Sequence, residues 1–84
     1  MIKVLYFASL REQLCCDSEQ LELEPELTDL AALTARLRQR GGAWEDALGP
    51  GHSLLTAVNA QVAGPPTRLS DGDEMAYLPP VTGG

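Results

Sequence analysis

The sequence predicts an α+β fold in which a mixed sheet of about five strands packs on one main helix. Two observations predict it. One leucine stripe has helical spacing, and short apolar runs with strand-like alternation lie on both sides of it. A helix with a single apolar stripe needs a sheet face against which to bury it. The first and last runs are the most apolar, so we expect them side by side at the centre of the sheet.

The chain opens with a predicted central strand. Over residues 2–8, Ile2, Val4 and Tyr6 share one face, and the opposite face is also largely apolar. A strand that is apolar on both faces belongs in the interior of a sheet. A short helical turn is predicted next, over residues 9–16, because two leucines recur there at helical spacing.

An edge strand and the main helix are predicted in the middle of the chain. Residues 20–24 alternate leucine with glutamine and glutamate, which is typical of a half-buried edge strand that Pro25 ends. Thr28 is positioned to cap the following helix, and Gly41 and Gly42 stop it. The apolar stripe of this helix consists of Leu27, Leu30, Leu33 and Leu37.

The second half of the chain completes the sheet. A second short helix is predicted over residues 43–48, and a turn over residues 70–73, where glycine accepts positive φ. Strands are predicted over residues 54–58, 62–63 and 74–78. This order of elements is that of the β-grasp, or ubiquitin-like, architecture, and we expect residues 1–78 to form one such domain.

Residues 79–84 are predicted to form an extended tail. Pro79 and Pro80 donate no backbone hydrogen bond, so strand pairing stops there, and paired prolines favour a stiff extended chain. Gly83 and Gly84 add nothing to a core and cost backbone entropy to order. They offer instead a slim acyl end with no side chain beside the reacting carbon. Six residues reach about 20 Å at full extension, enough to place Gly84 in a partner's active site.

The composition excludes several classes of function. Lys and Arg total 6 against 12 for Asp and Glu, giving a net charge of −6. This balance argues against nucleic acid and anionic membranes as partners, and is compatible with a basic protein surface. We expect no secretory signal and no membrane span, and hence a cytoplasmic protein.

Candidate catalytic or metal-binding groups are few. His52 has no matched nucleophile, and Cys15 and Cys16 lack the further ligands that a metal site requires. Asp71 and Asp73 flank a glycine, which is better explained by turn chemistry than by calcium binding. We therefore expect no catalytic side chains, no metal and no cofactor bound by this chain.

Several short motifs of the sequence are distinctive when taken together. They are Met1-Ile2-Lys3-Val4-Leu5-Tyr6-Phe7-Ala8 and Leu10-Arg11-Glu12 at the start, and Ala57-Val58-Asn59 further along. At the end they are Leu69-Ser70-Asp71-Gly72-Asp73-Glu74 and Pro79-Pro80-Val81-Thr82-Gly83-Gly84. With these motifs the chain resembles the small subunit of molybdopterin synthase, whereas the part from Cys15 to Ser53 matches by pattern only.

The resemblance implies a sulfur carrier for molybdenum-cofactor synthesis. In that family an adenylating enzyme, related to ubiquitin activators, uses ATP and magnesium to join AMP to the terminal carboxylate, here that of Gly84. Sulfur then replaces AMP to give a thiocarboxylate. The loaded tail enters the large subunit of the synthase, which transfers the sulfur to a cyclic pterin phosphate precursor.

The partner-binding residues expected from this resemblance lie next to the tail. Phe7 and Leu78 would supply apolar contacts and Arg11 a polar one, and the tail itself would bind through Pro79, Pro80, Val81 and Thr82. The residue pattern alone leaves open whether Leu5, Phe7 and Leu78 are core or a docking patch, because large apolar residues are usually buried.

Two other functions remain open at this point. The chain could carry sulfur to another acceptor, such as a thiamine precursor or tRNA, or could be attached to protein lysines. It could also be a β-grasp binding module with an inert tail.

Overall fold

The structure, a computed structural model, describes residues 1–49 and 54–79 of the chain. The elements in these residues are, in chain order, β1 (Ile2–Tyr6), α1 (Ala8–Leu14), β2 (Ser18–Leu21), α2 (Leu30–Arg38), α3 (Ala43–Leu48), β3 (Leu55–Val58), β4 (Gln61–Val62) and β5 (Glu74–Leu78).

The strands form one mixed sheet with the order β2-β1-β5-β3-β4. The central pair, β1 and β5, is parallel, and the other neighbours are antiparallel. The first and last strands therefore lie side by side, as expected from their apolar composition. This topology, with α2 packed on one face, confirms the predicted α+β β-grasp architecture.

Strand alternation sends one face of the central pair into the core. Val4 and Tyr77 have 0% exposure, and Ile2 and Met75 have 1%. The core facing them is built from the leucine stripe of the main helix together with residues from the shorter helices and loops: Leu10, Leu14, Leu27, Leu30, Leu33, Leu37, Ala47, Leu48 and Leu69.

Two predicted strand boundaries were wrong. The first strand ends at Tyr6 rather than at residue 8, because Ala8 takes a φ of 52° and begins α1. The edge strand covers Ser18–Leu21 rather than residues 20–24. Its position at the edge of the sheet is confirmed, and its register pairs Ile2 with Leu21.

The N-terminus of α2 is capped by Asp29, and not by Thr28 as the sequence suggested. Oδ1 of Asp29 accepts a hydrogen bond from the backbone N–H of Ala32 at 2.9 Å. The carbonyl of Thr28 instead accepts the N–H of Leu69 at 3.0 Å. The loop before β5 is thereby fastened to the start of α2.

The helix α1 ends at Leu14, two residues before its predicted end, because Cys15 takes a left-handed φ of 54°. The helix α2 ends at Arg38, before the two glycines that were expected to stop it. The strands β3 and β4 agree with their predicted positions within one residue. The short helix α3 covers Ala43–Leu48, and β5 covers Glu74–Leu78, as expected. Among the helices of residues 1–49 and 54–79, none has both the length and the apolar character needed to cross a bilayer.

Candidate functional site

The predicted site lies where the two central strands end. Because β1 and β5 are parallel, both strands finish at the same end of the sheet, where Tyr6 lies opposite Tyr77. Phe7 follows β1, Leu78 is the last residue of β5, and Pro79 comes next. The N–H of Phe7 donates to the carbonyl of Tyr77 at 3.2 Å. This bond holds Phe7 beside the residues from which the tail starts.

Phe7 and Leu78 belong to an open apolar surface, which we call the outer face. It is the face of the sheet opposite the helices, and pleat alternation together with the strand register defines it. Leu78 lies opposite Leu55, and Ala76 lies opposite both Leu5 and Ala57. The apolar residues of the outer face are Leu5, Phe7, Leu55, Ala57, Val62, Ala76 and Leu78.

The exposure of these residues shows that they do not belong to the core. Phe7 is 42% exposed, Leu55 39% and Val62 75%, whereas Leu5 and Leu78 are half-buried. None of the three residues in question, Leu5, Phe7 and Leu78, belongs to the buried core. A contiguous apolar surface of this kind is typical of a protein-binding site. Leu55 and Val62 were not predicted from the sequence, since only the strand register reveals that they share this face.

Arg11 lies on α1, the helix that starts directly after Phe7 at this end of the sheet. It is exposed, and it belongs to the last turn of the helix. Among the ion pairs formed within the described part of the chain, none involves its guanidinium group.

Behind Phe7, a polar cluster anchors the end of β1. The hydroxyl of Tyr6 donates to Oε2 of Glu19 at 2.9 Å, and Arg40 donates two hydrogen bonds to the same carboxylate at 2.9 and 2.8 Å. The guanidinium of Arg40 also stands 4.4 Å from the ring centroid of Trp44. The bonds from Arg40 hold the pKa of Glu19 below its usual value, while burial raises the pKa of Tyr6. The cluster ties β2 to β1 and to the segment that follows α2, and both oxygens of the Glu19 carboxylate accept hydrogen bonds within the fold.

A pair of hydroxyl groups lies on the core side of the sheet, next to Leu78. Tyr77 is completely buried, and its hydroxyl lies 2.6 Å from Oγ1 of Thr34 on α2. Its ring is stacked on that of Tyr6, with centroids 5.9 Å apart and planes 5° from parallel. Burial raises the pKa of Tyr77 to about 12. The phenol is therefore neutral at physiological pH and serves as a structural hydrogen-bonding group.

The turn before β5 has the chemistry expected of it. Gly72 has a φ of 90°, and Oδ2 of Asp73 accepts the N–H of Ser70 at 2.8 Å. Oδ1 of Asp73 accepts from Nδ2 of Asn59 at 3.0 Å, which ties this turn to the β3–β4 hairpin. Within residues 1–49 and 54–79 no group of three or more acidic, histidine or cysteine side chains could hold a metal ion.

Other predicted residues fall outside this constellation. Cys15 and Cys16 are free thiols, the first exposed and the second half-buried. His52 and the tail residues Pro80, Val81, Thr82, Gly83 and Gly84 lie outside the described residues. The structure therefore brings together Phe7, Leu78 and Pro79, with Arg11 close by.

Known proteins are similar to this chain in sequence and in fold. The profile of the ThiS family matches residues 4–84. The molybdopterin synthase sulfur carrier subunit of Escherichia coli is 40% identical, and that of Haemophilus influenzae is 38% identical. Both alignments cover 100% of this chain and 100% of the relative.

A solved structure shows a similar protein bound to a partner. It is the complex of subunits 1 and 2 of the molybdopterin-converting factor from Helicobacter pylori, with a TM-score of 0.68 and 27% identity. The match covers 99% of this chain and 97% of that chain. The profile match, the identity and the shared fold lead to one conclusion: the chain belongs to the ThiS family, among relatives that are molybdopterin synthase sulfur carrier subunits.

Proposed function

We propose that this chain is the sulfur carrier of molybdopterin synthase, and that the carboxyl group of Gly84 carries the sulfur. The observation that carries the proposal is the position of the tail root, by which we mean Leu78 and Pro79, where the tail leaves the sheet. Leu78 and Pro79 leave the sheet at the border of an apolar outer face, with Phe7 held beside them. A protein that docks on this face receives the tail at the same time.

The chemistry takes place at the acyl end of the chain. A carboxylate is a poor electrophile because its charge is delocalised over two oxygens. An adenylating enzyme would therefore join Gly84 to AMP, using ATP and magnesium and releasing pyrophosphate. A sulfur nucleophile would then displace AMP, leaving a thiocarboxylate at Gly84.

The large subunit of the synthase is the proposed acceptor partner. Its active site would receive the loaded tail and transfer the sulfur to a cyclic pterin phosphate precursor, after which the carrier keeps a carboxylate that can be activated again. The carrier would supply no catalytic side chain of its own.

The partner would bind through the outer face and the tail. Phe7 and Leu78 would fill apolar pockets, Arg11 would pair with a carboxylate at the rim, and residues 79–82 would line the entrance to the partner's active site. Neither the tail nor the outer face requires a membrane or nucleic acid, and we place the reaction in the cytoplasm.

The test is intact-mass analysis of the chain after incubation with an adenylating enzyme of this family, MgATP and a sulfur source. We expect one oxygen of the Gly84 carboxyl to be replaced by sulfur. Fragmentation locates the change, and modification of Cys15 or Cys16 in place of the terminus would refute the proposal. The matched control is the chain without its last residue.

A further inference from the structure

The centre of the outer face is made of two alanines. Ala57 of β3 and Ala76 of β5 lie directly opposite each other, and residues paired in this way have Cβ atoms about 5 Å apart. The residues around them on this face are larger and apolar: Leu5, Leu55, Val62 and Leu78. Because an alanine side chain ends at Cβ, the outer face has a shallow depression here. We call it the alanine hollow, with Ala57 and Ala76 as its floor.

Neither exposure to water nor packing against the core accounts for these alanines. The solvated face of a sheet usually carries polar residues. Alanine is also depleted in strands, because a β-branched or aromatic side chain packs better against its cross-strand neighbours. Ala57 and Ala76 are half-buried, and neither belongs to the core or packs against it. Two small residues in the middle of adjacent strands thus leave room for a group from outside the chain.

We infer that the alanine hollow receives one large apolar side chain of the large subunit, and that this side chain sets where the partner sits on the outer face. The inference rests on the proposed function. It adds Ala57 and Ala76 to the docking surface as specificity-determining residues, and it names the chemistry of the group that they bind.

The surroundings of the hollow favour an apolar occupant. Its floor and its border offer only hydrocarbon side chains, so a polar group seated there would lose its water without gaining a hydrogen bond from them. The charged residues of the central strands on this face, Lys3 and Glu74, lie opposite each other towards the starts of β1 and β5. An aromatic or long aliphatic side chain meets these conditions, and such side chains are common at the cores of interfaces.

The hollow lies beside the tail root. Leu78 belongs to both, since it follows Ala76 by two residues on the same face and precedes Pro79. Phe7 projects at this end of the face and is 42% exposed. The carrier would thus insert Phe7 into the partner and receive one side chain in return. Contacts in both directions fix the position of one surface on the other, next to the point where the tail starts.

The first test fills the hollow. Ala57→Ile and Ala76→Ile should each weaken the complex with the large subunit about 10-fold or more, because the added side chain would overpack the interface. The melting temperature of the free carrier should not fall, since isoleucine suits a strand better than alanine does. Calorimetric titration and thermal unfolding measure the two effects. Parent-like affinity in both variants would overturn the inference.

Ser18→Ile is the matched control. Ser18 is a small, exposed residue of the same face, but it lies on the edge strand β2, on the far side of Leu5 from the hollow. The same side chain added there should leave the Kd within about threefold of the parent's. An equal loss of affinity in Ser18→Ile would show a general effect of bulk on this face, and would overturn the inference.

The second test identifies the occupant. Exposed large apolar residues of the large subunit are replaced by alanine one at a time, and each variant is titrated with the parent carrier and with Ala76→Ile. We expect one replacement to weaken binding to the parent and to restore binding to Ala76→Ile, because the shortened side chain leaves room for the isoleucine. If no replacement restored binding, the hollow would not receive a single side chain.

A third measurement separates this inference from the proposed function. Failure of the parent carrier to bind the large subunit would refute the proposed partner, and the free carrier would then decide the hollow alone. The probe is N-acetylphenylalanine amide, followed through the methyl NMR signals of the carrier. We expect the Ala57 and Ala76 methyl signals to shift, and that of Ala35, exposed on α2, to stay in place. Equal shifts at the three alanines would overturn the inference.

Discussion

Leu78, the last residue of β5, lies directly opposite Leu55 of β3, and both side chains lie on the outer face of the sheet. Leu55 is 39% exposed, so the border of this face remains accessible next to the start of the tail. In the proposed function, this surface would serve docking and would lie beside the point where the tail starts. A partner that covers the leucine pair and Phe7 is placed to receive the tail.

The first prediction concerns Phe7. Phe7→Ala should weaken the complex with the large subunit by about 2–4 kcal/mol, because a buried aromatic anchor dominates an interface of this kind. The fold should lose less than it would from a core aromatic, since the side chain is 42% exposed in the free protein. Isothermal titration calorimetry and thermal unfolding measure the two effects.

Val62→Ala is the matched control for this prediction. Val62 is exposed and apolar on the same face, but it lies on β4, away from the tail root. Its truncation should change the affinity by less than about 1 kcal/mol. Equal losses in the two variants would show that the outer face has no anchor at Phe7.

The second prediction concerns the turn before β5. Gly72 has a φ of 90°, a conformation that L-residues adopt at a cost, although a Cβ added there would meet no atom within 4 Å. Gly72→Ala should therefore lower the free energy of unfolding by about 1–2 kcal/mol through backbone strain alone. Urea unfolding provides the measurement.

Gly64→Ala is the corresponding control. Gly64 does not have a positive φ in the strained range, and an added Cβ would meet Pro66 at an ordinary distance of 3.7 Å. This variant should be as stable as the parent or slightly more stable. If Gly72→Ala were equally harmless, the turn would not require glycine.

The third prediction is a pH dependence that arises from Glu19. Arg40 holds the pKa of the folded Glu19 below its ordinary value of 4.5. A carboxyl group with a lowered folded pKa adds stability above its unfolded pKa, and this stability is lost as the pH falls through the folded pKa. Glu19→Gln should cost about 1 kcal/mol at neutral pH, and the difference from the parent should shrink as the pH falls below 4.5 and through the lowered folded pKa.

Urea unfolding over this pH range measures the effect, and Glu26→Gln is the control. The Glu26 carboxylate pairs with Arg36 at the surface, with 76% of its side chain exposed. An exposed ion pair adds little to the free energy of unfolding. Its loss should therefore leave the stability, and the way the stability falls at acid pH, unchanged. A constant difference between Glu19→Gln and the parent at every pH would contradict the assigned ion pair.

The sequence was sufficient to predict the elements whose apolar pattern is strong. In β5, inward-facing and outward-facing residues alternate regularly, and a turn that contains glycine precedes the strand. Both ends of this strand were therefore predicted correctly. In α2 the leucines Leu30, Leu33 and Leu37 recur at helical spacing, and all three are buried. These patterns are local, and local physics determines them.

The edge strand shows where this reasoning fails. β2 pairs its polar residues Ser18 to Gln20 with β1, and places Glu19 on the inner side opposite Val4. A glutamate tolerates that position only because Tyr6 and Arg40 donate to its carboxylate. Because both donors are distant in sequence, the local pattern does not reveal that Glu19 can lie there. The alternating Leu21 and Leu23 have the stronger local strand pattern, and the strand was therefore predicted too far along the chain. Leu55 and Val62 of the outer face were missed for a related reason, because a shared face depends on register between strands.

The fourth prediction concerns Gly83. Gly83→Val keeps the terminal carboxylate but adds a β-branched side chain, which restricts the backbone and would obstruct a narrow channel. We expect docking at the parent's affinity with slower sulfur transfer. Single-turnover kinetics at saturating large subunit separate the two steps, and a parent-like rate would show that the channel is not narrow.

The central claim is that the tail donates the sulfur while the folded domain docks. Deletion of Gly83 and Gly84 tests it most directly, because it removes no side chain from the core. The measurement is formation of the pterin dithiolene by the reconstituted synthase, with melting temperature and complex formation recorded on the same samples. We predict an unchanged melting temperature, retained binding and no product. Product formation at the parent rate by the truncated chain would contradict the account.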